Sequence, residues 1–258
     1  MVALTVISPH LDDAVLSLGC MLRGSPGATV VTCFGGVPDK AARLADWDRR
    51  CGYPDPATAA TARRANDAVS VSRVGAQPVH LDLLDCDYRV ADDRTRLADL
   101  ERALAAVVGS AESLWLPVAL GRHPDHVLAL KAGLAVWRSS HRPPLTLYAD
   151  LPYASTFGWP RWVINGGRPR LPLAWSRHVL RWRRHEVAMQ WSGALATSGV
   201  PVHRLTPTVR PVIGSDLVDK LTALEPYSEQ TAQLTYGPGG TWTLAQSLEY
   251  EAWWTLSG

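Results

Sequence analysis

Residues 3–34 carry the pattern that most limits what this chain can become. "ALTVISP" is a short β-branched run. "DDAVLSLGCMLRG" places Val15, Leu16, Leu18, Met21 and Leu22 at helical spacing and stops at Gly24, and "ATVVTCF" at 28–34 is a second apolar run. Strand, helix and strand in so short a span make a βαβ unit, whose two strands must lie parallel with a right-handed crossover. A parallel sheet needs cover on both faces, so the expectation is an α/β protein: a Rossmann-like three-layer α/β/α sandwich with a mostly parallel sheet.

The alternation continues. A polar loop at 35–56 is followed by a predicted helix at 57–74, a strand "QPVHLDLLD", a helix "ADDRTRLADLERALAAVVG", a strand "SLWLPV", a helix "VLALKAGLAVWRSS" and a strand "PLTLYADLPYA". From about 155 the rhythm weakens and Trp and Arg become dense. A hairpin or edge strands, with helices near 214–224 and 243–254, are expected there. With no flexible linker in between, 1–258 reads as one domain: a catalytic core at 1–155 and a C-terminal extension at 156–258 packed on it.

Composition narrows the function classes. A formal charge of +2 with 19% charged residues gives no electrostatic case for nucleic acid or an anionic membrane. No apolar run approaches the roughly 20 residues of a membrane span, and no signal-peptide pattern is present. Cys20, Cys33, Cys51 and Cys86 form no C-x-x-C pair and are expected as buried small hydrophobes in a reducing compartment. A cytoplasmic protein without a membrane span is the expectation.

Ligands of an open parallel sheet bind beyond the carboxyl ends of its strands. "SPHLDD" follows the first strand there, and "GRHPDH" follows the fourth. Each offers a pair three residues apart, His10 with Asp13 and His123 with His126, and that spacing brings two side chains to one side of a helical turn. Zinc in catalytic sites takes about three such ligands and keeps one position open. Asp12 and Asp13, which would otherwise repel, are then explained: Asp13 binds a divalent ion, and Asp12 stays ionised as the base that deprotonates the attacking water. A protonated His123 is expected to stabilise the oxyanion and hand a proton to the leaving amine, with Asp125 orienting it and raising its pKa. The competing view of Asp12-Asp13 is a helix cap favoured by the macrodipole. The remaining histidines have no partners at ligand spacing, and His80 is expected at a strand's core or edge.

At these residues the chain resembles the PIG-L or LmbE-like family of zinc-dependent N-acetylglucosaminyl deacetylases, whose pattern is [AS]-H-P-D-D-E followed about a hundred residues later by H-P-D-H. Here the two stand as "SPHLDDA" at 8–14 and "RHPDH" at 122–126, and "YADLPYA" at 148–154 is similar to a segment lining the family's cleft. The resemblance implies zinc, with Fe2+ also compatible, on His10, Asp13 and His126, Asp12 as base, and His123 tuned by Asp125. It also implies substrate contacts from Tyr153, from Arg63 (the arginine of an R-x-x-E feature whose acid is Asn66 here), and from Asp85, with Asp82 as its rival. Leu11 and Ala14 depart from the pattern without removing a ligand.

The implied reaction is removal of the N-acetyl group from an N-acetylglucosamine-type amino sugar conjugate, in bacterial small-molecule or antibiotic biosynthesis. A different N-acyl or non-sugar amide on the same site is the alternative. A nucleotide-binding role is disfavoured because neither G-x-G-x-x-G nor G-x-x-x-x-G-K-[ST] follows the first strand. The loop at 35–56 and the segment 157–191 are expected to decide the substrate, with Trp47, Trp159, Trp162 and Trp175 available for stacking and Arg161, Arg168 and Arg170 for an anionic group.

Overall fold

A computed structural model describes residues 3–89, 93–156, 199–237 and 240–257. Trp159, Trp162, Trp175, Arg161, Arg168, Arg170, His178 and His185 lie outside the described residues. The core elements are β1 (Leu4–Ser8), α1 (Asp13–Arg23), β2 (Thr29–Thr32), α2 (Asp46–Arg50), α3 (Pro56–Arg73), β3 (Gln77–His80), α4 (Asp93–Val108), β4 (Ser113–Pro117), α5 (Pro124–Ser139) and β5 (Leu145–Tyr148). After them come α6 (Tyr153–Thr156), β6 (Leu205–Pro211), α7 (Ser215–Leu224) and β7 (Tyr250–Leu256).

The seven strands form one sheet in the order β3-β2-β1-β4-β5-β7-β6. The first five are parallel, and β7 and β6 join antiparallel. The expected βαβ unit is present, and the chain order reverses between β1 and β4, the switch point at which such sheets bind ligands. Strands β1, β2, β4 and β5 supply the inner core, where Val6, Ile7, Val31, Leu114, Leu116 and Leu147 are fully buried. Two-sided burial explains why these strands read as continuous apolar runs.

One sequence expectation fails. The predicted helix at 243–254 is a single turn, Leu244–Ser247, followed by strand β7. "YEAWWTL" is rich in the aromatic residues that favour strands, and its position between β5 and β6 satisfies its backbone on both sides, which outweighs the helical spacing of its apolar residues. The predicted fifth strand is also shorter: it ends at Tyr148, and Tyr153 opens a helical turn.

β7 ties the C-terminal region to the core through a buried charge. Helix α1 is non-helical at Leu18, which strands the N–H groups of the next turn. The Glu251 carboxylate accepts them, from Cys20 at 2.7 Å and Met21 at 2.9 Å, and Lys220 of α7 donates to the same carboxylate at 2.7 Å. All three partners of this fully buried pair are hydrogen-bonded, which is what makes such a charge tolerable in a core. Gly19 lets the Lys220 stem pass, since a Cβ there would lie 3.1 Å from Lys220 Cγ.

Candidate metal centre

Because β1 and β4 are neighbours with Thr5 opposite Leu114, the loops leaving them emerge side by side. The first turns tightly: Ser8 Oγ donates to His10 O and accepts from Ala14 N, and the Asp12 N–H donates to His10 O. Leu11 is buried, its side chain 3.7 Å from where a Gly35 Cβ would stand, so an apolar residue is accommodated in place of the family's proline. The second loop passes through Ala119, Gly121 and Arg122, all at positive φ, to deliver His123 as N-cap of α5 and His126 into its first turn.

Asp13 Oδ2 lies 3.2 Å from His10 Nδ1 and 3.2 Å from His126 Nε2. Zinc–nitrogen and zinc–oxygen bonds of about 2.0–2.1 Å in a tetrahedron set neighbouring donor atoms about 3.3 Å apart, so this spacing suits the ion. The opposite nitrogen of each ring is held by a buried carboxylate: His10 Nε2 by Asp125 at 3.0 Å and His126 Nδ1 by Asp150 at 2.7 Å. Carboxylate–histidine pairs of this kind fix the ring so that the other nitrogen faces the metal. His10, His123 and His126 also bring one ring nitrogen each within 4.8 Å of one another, so imidazole and carboxylate donors of the kind that zinc and Fe2+ take meet at this cleft.

The carboxylates take opposite directions. Burial works to raise the Asp13 pKa, but the adjacent His126 and His10 outweigh it and hold it well below the usual carboxylate range. Burial and the Asp13 charge push Asp12 up to about 7. Asp12 stands at the N-cap position of α1 and makes no capping hydrogen bond, so the cap view of this residue fails. Its carboxyl instead lines a cleft of about 260 Å³ that His10, Asp13, His123 and His126 share.

His123 corrects the sequence reading. The Asp125 N–H donates to His123 Nδ1 at 3.3 Å, which leaves the ring proton on Nε2. The Asp125 carboxylate makes no hydrogen bond to His123; it accepts from His10 Nε2, Cys86 N and Arg89, and its charge offsets only part of the lowering of His123. Side chains two apart at a helix start diverge, and the expectation overlooked this. His123 is accordingly lowered to about 4 by burial and by the neighbouring His10 and His126, the reverse of the expected rise. It is a neutral donor.

The implied substrate contacts separate cleanly. Arg63, Asp85 and Tyr153 all line the cleft. Arg63 is paired with buried Asp48 at 3.2 Å, and its buried Nε has no hydrogen-bond partner among the described residues, so it is not a solvated helix arginine. Asp85 comes within 3.7 Å of His10 Nε2, whereas Asp82 is 84% exposed and bound to Arg64. Tyr153 stands edge-on to His126, its ring centroid 5.3 Å away. Trp47 and Arg50 of α2 form the rim, and the Asp48 between them is anchored by the Tyr88 hydroxyl. Of the four cysteines, Cys20 and Cys33 are buried as expected, while Cys51 and Cys86 are half-buried. His80 is bound by Asp67, which also accepts from Tyr227.

Gly121 yields a prediction here. It sits at φ +75°, and a Cβ would fall 2.3 Å from the Tyr153 ring. Gly121→Ala will push that ring off His126 and lower kcat/KM by on the order of 10- to 100-fold, measured by initial rates, because small misplacements at a reacting centre are costly.

No protein-family model and no curated protein matches the sequence. Solved structures do. The pseudoaglycone deacetylase of the antimicrobial A40926 superposes with a TM-score of 0.70 at 25% identity, over 99% of this chain and 97% of that one. The fold is that of the LmbE-like deacetylases. Two structures of a deacetylase from teicoplanin biosynthesis, one of them a zinc-inhibited form, have the same LmbE-like architecture: TM-score 0.71 for each, at 23% and 22% identity, over 99% of this chain and 98% of theirs.

Sequence reasoning missed two residues that shape the centre. Asp150 follows β5 at the same sheet edge as the motifs, so the strand-end rule that found them also points to it. Arg89 lies outside any motif, and no sequence signal marks it.

Proposed function

We propose that this chain is a metal-dependent N-deacetylase that hydrolyses the acetamide of an amino sugar conjugate. The observation that carries the proposal is the buried, uncapped Asp12 beside the converged His10, Asp13 and His126. His10, Asp13 and His126 would hold a divalent ion, which when bound would supply Lewis acidity toward the amide carbonyl and the attacking water. Asp12 takes the proton of the attacking water and returns it to the departing amine. His123 donates from Nε2 to the oxyanion that develops on the carbonyl oxygen. The products are acetate and the free amine.

Arg63, Asp85 and Tyr153 are proposed to hold the sugar, with Asp85 accepting from hydroxyl groups and Arg63 supplying positive charge to the cleft wall. The substrate is proposed to be a glycosylated small molecule, since the 25%-identical relative is a pseudoaglycone deacetylase. Trp47 at the rim offers a stacking face for it. Among the described residues no helix is long and apolar enough to cross a membrane, and the four free thiols support the cytoplasm as the compartment.

A screen of N-acyl substrates with acetate and free-amine detection tests the reading. Turnover of acetamido sugar conjugates supports it, and turnover only of other amides replaces it with the amidase alternative. The rate should also carry an acid limb. Asp12 must be ionised to act, and its pKa is raised to about 7 by burial and by the Asp13 charge. A cation on Asp13 cancels the second of these, so kcat/KM will rise with pH up to a midpoint at or below about 7 and then level. His123, already neutral, contributes no alkaline limb.

A further inference from the structure

We infer that Arg89 is a positioning residue for the metal centre, acting on His10 through Asp125. The inference rests on the metal role proposed for His10, Asp13 and His126. The Arg89 side chain is 3% exposed; its guanidinium bonds Asp125 Oδ1, donates to Leu84 O at 3.0 Å, and lies over the Phe34 ring at 4.9 Å. The arginine is thus clamped on three sides, and Asp125, which is fully buried, is clamped by it.

With Oδ1 held by Arg89, the other oxygen of Asp125 is aimed at the Cys86 N–H and at His10 Nε2, each at 3.0 Å. A salt-bridged carboxylate is an acceptor only, so Nε2 carries a proton, and Nδ1, 3.2 Å from Asp13 Oδ2, is the nitrogen left to meet a metal. The relay Arg89–Asp125–His10 therefore fixes both the tautomer and the angle of one metal ligand. The planar fork of arginine, with the Leu84 carbonyl on its other side, supplies a placement that a lysine ammonium cannot.

The test is zinc affinity of the whole chain, by competition with a chromophoric chelator, for wild type, Arg89→Met, Arg89→Lys and His126→Ala. Loss of this outer partner should weaken zinc binding in Arg89→Met by roughly 10- to 100-fold, with Arg89→Lys between it and wild type. Melting in the presence of chelator separates a purely structural role, which lowers Tm while leaving the affinity of the folded protein unmoved. Affinity within about twofold of wild type in folded Arg89→Met overturns the inference. If Arg89→Met does not fold, Arg89→Lys decides on the same criterion. Failure of the underlying metal assignment looks different: wild type then binds no zinc, or His126→Ala binds it as well as wild type does.

Discussion

Asp12→Ala will retain its metal and lose turnover by about 10²- to 10⁴-fold, the usual contribution of a positioned general base. The two halves of this expectation have separate causes. The Asp12 side chain makes none of the contacts that bring His10, Asp13 and His126 together, and its N–H to His10 O is kept in alanine, so the 3.2 Å donor spacing survives the substitution. What disappears is the proton acceptor, together with the acid limb of the pH–rate profile, because the group ionising near 7 is gone. By linkage, a cation that lowers the Asp12 pKa binds more tightly beside ionised Asp12, so zinc affinity should fall modestly while stoichiometric metal is retained. Metal analysis alongside single-turnover acetate release checks both parts, and a nearly fully active Asp12→Ala with bound metal would remove Asp12 from the chemistry.

What the sequence disclosed, and what it hid, follows from how local the cause is. The β1–α1–β2 unit was legible because its apolar residues are consecutive in the chain and buried on both sides. The two motif loops were legible because each sits directly after such a strand, and the adjacency of β1 and β4 then brings them together. β7 was misread since the strand state of 250–256 is set by β5 and β6, which are distant in the chain. Asp125 does bond His123, but through its backbone N–H, and the partners of its carboxylate stay hidden for the same reason. Its proximity to His123 in the chain says nothing about where its carboxylate points, and the true partners, His10 and Arg89, are 115 and 36 positions away. Arg63 shows the intermediate case: its residue type was noticed, but only the fold shows it buried against Asp48, its Nε without a partner among the described residues.

Asp13→Ala should abolish metal binding and activity together, the opposite division from Asp12→Ala. Asp13 Oδ2 is the atom common to both histidine contacts and also accepts the His10 N–H at 2.8 Å, so the substitution removes a ligand and loosens the turn that carries another. It further leaves His126 without the charge that, against the effect of burial, raises its pKa to about 9. That histidine will titrate lower in the variant. The carboxylate is also the larger part of what makes the donor set selective for a hard-to-borderline divalent cation, since two imidazoles alone bind such ions weakly. Adding zinc in excess should restore no acetate release, whereas a variant at the cleft rim such as Trp47→Ala should keep its metal and alter KM. Stoichiometric zinc retained by folded Asp13→Ala would mean that the ion is held elsewhere in the cleft, and the pairing of Asp13 as ligand with Asp12 as base would have to be given up.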